Sequence, residues 1–327
     1  MNLLIVGAGG IGAYYAARLI QAQHRVVLAA RGRHLQAMQT QGLRVEHETF
    51  SFDARVTAVD LSALMQQFLP DEFDAILLTL KATATQSVLD TLRPWLTAGK
   101  VPVISLQNGV DNEPLLSEWL GEERVIGGLA VRISGHILQP GRIEAQGPAQ
   151  IIMGEWPHAN RAANARTELL HRLNAGFNAA GIPTQIASDI RFELWRKLVI
   201  NNGVNPLSAL TGLDTHSLTH HPAFSRIVYG LMEETAMAAN ADGITLSRAD
   251  VDDMFELIRS FNAIKTSMLV DRQKGRPLEL DSIAGAVLRR CRAQGLNAPY
   301  TELVAALLAQ QYQPDNPAYQ ETPEETI

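Results

Sequence analysis

A chain of 327 residues with one cysteine has room for about two domains and none for an intramolecular disulfide. Its residues are 46% hydrophobic and 19% charged, as in a globular protein with ample core, and a net charge of −6 with scattered Lys and Arg argues against a nucleic-acid partner. No stretch of about 18 residues is apolar enough to suggest a membrane span, and the lone Cys291 fits a reducing cytoplasm.

The chain opens MNLLIVGAGGIGAYYAARLI. Leu3 to Val6 is an apolar run of strand length, Gly7-Ala8-Gly9-Gly10-Ile11-Gly12 reads G-x-G-x-x-G, and helix formers follow from Ala13 to Ile20. A strand that turns through glycines into a helix aims backbone N–H groups at one point, which suits a pyrophosphate. Gly7 permits the turn, Gly9 lets phosphates approach the backbone, and Gly12 lets helix and strand pack closely. Residues 1 to 17 carry no charged side chain, but the n-region has no Lys or Arg and the glycines keep phosphate-loop spacing, so this is not read as a signal peptide.

The second strand, Val26 to Ala30, ends in Arg31-Gly32-Arg33. An NAD-selective site places an acid there for the ribose hydroxyls; a guanidinium instead suits a 2′-phosphate. Arg31 therefore points to NADP(H), against the alternative that Arg31 and Arg33 are solvated loop charges. Strand patterns recur at Arg55–Val59, Asp74–Leu80 and Val101–Leu106, with a helix over Gln86–Leu96. The alternation predicts a doubly wound parallel sheet. Lys81 and Asn108-Gly109 follow two of these strands, where open α/β sheets bind ligands, although Asn-Gly is equally a turn signal. Residues 125 to 154 read as antiparallel strands closing one side of the domain. Ala162 to Ala180 reads as an amphipathic helix, with Leu169, Leu170, Leu173 and Phe177 inward and Gly181 as its stop.

From Ser188 the pattern is helical almost to the end, which sets the expected domains at 1–188 and 189–327, with a loosely held tail from about 313. The second domain opens with ELWRKLVINNGVNPLSALTG. Lys197, Asn201 and Asn205 stand at i, i+4 and i+8, nearly one helical face. A lysine and two amides in line on a largely apolar helix suit a proton donor with two clamps, since desolvation brings a lysine toward working pH; the alternative is a snorkelling Lys with capping amides. Pro206 is expected to strain this helix or end it by Asn205. Farther on, TSMLVDRQKGRPLELDSIAG places Thr266-Ser267 before an apolar pair. Glu279 falls at a helix start, where capping is its alternative role, and Gly285 allows close packing. His216, His220 and His221 lack an acid or cysteine to complete a ligand set, so no metal site is expected.

Together these residues resemble the ketopantoate reductase family (2-dehydropantoate 2-reductases), from Gly7 to about Pro299. The G-A-G-G-I-G loop, the Lys81 strand end and the Asn108-Gly109 turn look like that family's cofactor domain. WRKLVINNGVNPLSALTG looks like its signature helix, and S-M-L-x-D followed by G-R-P-L-E-L-D-S-I-A-G like its substrate segment. The resemblance implies a Rossmann-type dinucleotide-binding domain followed by an all-α domain, with the cleft between them. It implies Lys197 as general acid, Asn201, Asn205 and Ser267 as substrate ligands, and Glu279 between substrate and cofactor. It places Asn108 near the nicotinamide ribose and Arg31 with Lys81 near the 2′-phosphate. The partner is a small 2-oxo acid, and a homodimer is left open. Two positions depart from the pattern of some family members, where Thr215 and Ile264 replace asparagines. Reduction of another branched 2-oxo acid, or a catalytically silent NADPH-binding sensor, are the competing expectations.

Overall fold

The computed structural model describes residues 1–158 and 165–312. The chain divides into two compact units. Among the described residues, the first comprises Met1–Gln107 with those of Asn112–Ile190, and the second comprises Asn108–Asp111 with those from Arg191 to Tyr312.

The first unit is mixed α/β. Its strands are β1 (Asn2–Val6), β2 (Arg25–Ala29), β3 (Leu43–His47), β4 (Phe50–Ala54), β5 (Thr57–Val59), β6 (Ala75–Leu78), β7 (Val103–Ser105), β8 (Val125–Val131), β9 (Ser134–Gln139), β10 (Arg142–Gln146), β11 (Gln150–Glu155) and β12 (Thr184–Ile186). Its helices are α1 (Gly10–Gln21), α2 (Gly32–Thr40), α3 (Leu61–Gln67), α4 (Thr85–Thr97), α5 (Asn112–Leu120) and α6 (Ala165–Ala179). The main sheet has the order β12-β11-β8-β7-β6-β1-β2-β5. From β5 to β8 every pairing is parallel, as strands joined by helical crossovers must be.

The expectation for residues 125–154 needs correction. The β8–β11 and β9–β10 pairings are antiparallel as expected, but β8 itself extends the parallel sheet, and β11 with β12 runs against it. The β9–β10 hairpin leaves that sheet and pairs through β10 with β3, forming a second sheet of order β4-β3-β10-β9. Helix α1 packs on both sheets. Tyr14, Tyr15, Ala16 and Leu19 of α1 share one core with Leu3, Ile5 and Leu28 of the first sheet and with Leu43, Val45 and Ile143 of the second. A helix covered on two sides has no solvated stripe to charge, which explains the charge-free opening of the chain. In α6, Leu169, Leu170, Leu173 and Phe177 are buried as expected; the expected start of this helix at Ala162 lies outside the described residues, as does the tail from 313.

Among the described residues the second unit is all-α: α7 (Ile190–Thr211, its first residue counted with the first unit), α8 (Thr215–His220), α9 (Pro222–Ala239), α10 (Arg248–Arg259), α11 (Ser267–Gln273), α12 (Ala286–Ala293) and α13 (Pro299–Gln311). Val199, Val204 and Leu207 of α7 pack with Val228, Leu231 and Met232 of α9 and with Val251 and Met254 of α10. Pro206 neither ends nor interrupts α7, contrary to expectation. It removes one N–H from the ladder, but residues 202 to 209 are buried without a break, so tertiary packing outweighs the lost bond. Among the described residues no helix is long and apolar enough to cross a membrane.

Candidate active site

In the first unit three strand ends converge. Strand β1 lies between β2 and β6, so the glycine loop, Arg31 and Lys81 emerge side by side. The amides of Gly7 and Ala8 donate to Ala29 O at 3.1 and 3.3 Å, which ties the loop to the end of β2 two residues before Arg31. Thr79 Oγ1 donates to Gly7 O at 2.7 Å, two residues before Lys81. Gln107, buried at the end of β7, donates to Leu80 O at 3.0 Å and to Thr85 Oγ1 at 2.7 Å, holding the Lys81 turn.

Gly7 and Gly12 are needed where the spacing predicts a turn and a close packing. Gly7 has φ +105°, and a Cβ there would lie 2.6 Å from Leu80 N. A Cβ on Gly12 would lie 2.3 Å from both Gly7 O and Thr79 Oγ1. Gly9, in contrast, faces open space, with nothing within 4 Å of a Cβ. That opening lies at the N-terminus of α1, a cradle with the shape and polarity for a pyrophosphate. Gly10 has a further duty: its Cβ would meet the Gly135 backbone of β9 at 2.1 Å. Arg31 is exposed beside the loop, at the N-cap position of α2.

Sequence reasoning missed His34 on α2. Its Nδ1 accepts from Gly141 N at 3.0 Å, so the proton sits on Nε2, which donates to Ala8 O at 2.8 Å. The ring joins the glycine loop to the turn of the β9–β10 hairpin, and burial holds its pKa below the ordinary histidine value.

In the second unit, α7 carries Lys197 and Asn201 half-buried and Asn205 buried. Apolar anchoring by Leu194, Trp195, Leu198 and Val199, all buried, fixes which side of the helix they occupy. Thr266 caps α11 by accepting from Leu269 N at 3.2 Å, which presents Ser267, exposed, in the first turn. Arg272 of α11 donates to Ala209 O and Leu210 O in the last turn of α7. The two predicted substrate segments are thus fastened together by a residue that the sequence did not single out.

Glu279 is buried just before a π-helical turn, Asp281–Gly285, that runs into α12. Its carboxylate accepts from Asn108 Nδ2 at 3.1 Å, while its backbone carbonyl accepts from Ile283 N. Gly285 makes room for an ion pair rather than a neighbouring helix: its Cβ would lie 2.5 Å from Asp281 Oδ1 and 3.1 Å from Arg289 Nη1. His216 and His220 stack with ring centroids 3.9 Å apart on α8.

A Rossmann-type unit with an open glycine cradle, followed by an all-α unit bearing a lysine–asparagine helix, defines a class: two-part nicotinamide dinucleotide oxidoreductases. The ketopantoate reductase PanE/ApbA family matches residues 3–158, and its C-terminal counterpart matches residues 189–313. The chain belongs to this family. A 2-dehydropantoate 2-reductase from Pyrococcus horikoshii is 27% identical over 310 residues, covering 94% of this chain and 96% of that one. The crystal structure of 2-dehydropantoate 2-reductase from Geobacter metallireducens is 31% identical with a TM-score of 0.83, over 95% of this chain and 99% of that one. The fold is shared with D-mandelate dehydrogenase, solved with NADH and anilino(oxo)acetate, at a TM-score of 0.86 and 21% identity over 95% and 98% of the two chains.

Proposed function

We propose that this protein reduces the C2 ketone of 2-dehydropantoate (ketopantoate) to pantoate with NADPH, the pantoate-forming step on the route to pantothenate and coenzyme A. The observation that carries the reading is helix α7, which displays Lys197, Asn201 and Asn205 along one face in the unit where buried Glu279 is held by Asn108. NADPH supplies the hydride when bound. The open space at Gly9 and the strand ends carrying Arg31 and Lys81 suit its phosphates. Lys197 donates the proton to the C2 oxygen as negative charge develops there, the place where a fixed positive group lowers the barrier most. Asn201 and Asn205 orient the oxo acid, Ser267 binds its carboxylate, and Glu279 accepts from its hydroxyl. A cytoplasmic setting belongs to the same proposal.

One observation favours a second reading, a different branched 2-oxo acid. The two positions that depart from the family pattern are neighbours: Thr215 N donates to Ile264 O at 3.0 Å and Ile264 N to Thr215 Oγ1 at 3.2 Å. The pair changes together while Lys197, Asn201, Asn205, Ser267 and Glu279 keep the pattern, which leaves the identity of the 2-oxo acid open. Following NADPH absorbance with ketopantoate and a panel of branched 2-oxo acids separates the readings. Ketopantoate should give the highest kcat/KM. A better substrate lacking the hydroxyl would replace the first reading by the second, and tight NADPH binding without turnover on any of them would indicate a sensor.

A further inference from the structure

Residues Asn108 to Asp111 form a short segment grouped with the helical unit, and Asp111 is its anchor. Asp111 Oδ2 pairs with Arg289 Nη2 at 2.9 Å and Oδ1 with Arg290 Nη1 at 2.8 Å. The same Arg289 reaches Asp281 Oδ1 at 2.6 Å and Asp281 O at 3.3 Å. Asp111 stands three residues after Asn108, and Asp281 two after Glu279. One guanidinium therefore ties together the two segments whose side chains meet in the Asn108–Glu279 hydrogen bond.

Arg290 extends the same network inward. Its Nε bonds both oxygens of Asp242, at 2.9 and 2.8 Å, and its guanidinium lies 5.2 Å from the Trp195 ring centroid. Trp195 is on α7, two residues before Lys197. Arg290 is 14% exposed and Arg289 48% exposed. Half-exposed ion pairs add little stability. What the planar forks add is direction, since each fixes its carboxylate at defined angles. A glycine at 285 keeps the path between Arg289 and Asp281 clear.

We infer that Arg289, Arg290 and Asp111 form a positioning clamp that sets Asn108 against Glu279 and registers that pair to helix α7. The inference rests on the reading of Asn108 and Glu279 as site residues. Neither arginine acts on substrate; both act through Asn108 and Glu279.

The test is a double-variant cycle in the full chain at saturating NADPH, with whichever branched 2-oxo acid the wild type turns over. Asp111→Ala and Arg289→Ala should each lower kcat about tenfold. Asp111→Ala combined with Asn108→Ala should be no slower than Asn108→Ala alone. Hydrogen exchange on the protein without cofactor should accelerate at residues 108–112 and 279–285 in Asp111→Ala. If Asp111→Ala does not fold, the exposed Arg289→Ala carries the comparison. Additive losses, or unchanged kcat and exchange in Asp111→Ala beside a slow Asn108→Ala, would overturn the clamp alone. Wild-type turnover in Asn108→Ala would overturn the site reading, and the clamp with it.

Discussion

Asn201 and Asn202 are adjacent and chemically identical, yet α7 turns them to different surroundings. Asn202 is fully buried and donates to Leu231 O, Thr235 Oγ1 and Thr301 Oγ1 at 3.4, 2.9 and 3.1 Å, so it serves packing against α9 and α13. Asn201 is half-buried on the Lys197 side. For Lys197→Ala, kcat should fall by about 10²–10⁴-fold, the range for a positioned general acid, with little change in NADPH affinity. Near-normal turnover would transfer the proton role to another group. Glu279→Ala should cost ketopantoate far more kcat/KM than 2-oxoisovalerate, because a site built for a hydroxyl leaves its buried partner unpaired with an analogue lacking one. Equal losses at saturating NADPH would mean that Glu279 does not read the hydroxyl.

At the level of elements, the strand–loop–helix opening separates folding from binding. Gly12→Ala forces a Cβ against two fixed oxygens at 2.3 Å; the strain should cost about 1–3 kcal/mol of stability. Gly9→Ala meets nothing within 4 Å and should leave the melting temperature unchanged, while a cofactor titration shows weakened NADPH binding. Normal binding in Gly9→Ala would place the phosphates elsewhere. The α2 helix adds a pH dependence through His34. Its pKa in the folded protein lies below its ordinary value, chiefly from burial, so the unfolded chain takes up the proton first on acidification. The stability it contributes is present above the ordinary histidine value of 6.5 and is lost as pH falls through that value toward the lower folded pKa. Melting curves should therefore drop more steeply below that value for wild type than for His34→Gln, whose amide keeps a donor for Ala8 O without titrating. Parallel curves would remove His34 from the acid limb.

For the whole molecule, cofactor choice is read as ligand-linked stability. A ligand that binds only the native state stabilises by about 2.7 kcal/mol at 100 times its Kd. NADPH should raise the melting temperature more than NADH at equal concentration, and Arg31→Ala should erase that difference. The loss of a charge-assisted phosphate contact is worth about 1.5–3 kcal/mol. Equal shifts in the wild type would remove Arg31 from the 2′-phosphate.

The features visible in the linear chain are those that nearest neighbours control. The glycine loop is legible because turn, approach and packing each demand a missing Cβ at a set spacing. Strands β1, β2, β6 and β7 are legible because both faces of their central residues are buried and those residues are apolar. The Lys197, Asn201 and Asn205 face follows from helical periodicity. Strands β3 and β4 escaped notice because each alternates buried and exposed residues over only five positions. Their value appears only when β10, about a hundred residues on, pairs with β3. Long-range bonds had no local signal either: His34 meets Gly141 across 107 residues, and Asn108 meets Glu279 across 171. Pro206 shows the same limit in reverse, since a rule about isolated helices yields to burial on every side. Local backbone preference and periodicity, then, select the elements and the residue types on their faces. Pairing of distant segments, which depends on how the core closes, selects which of those residues meet.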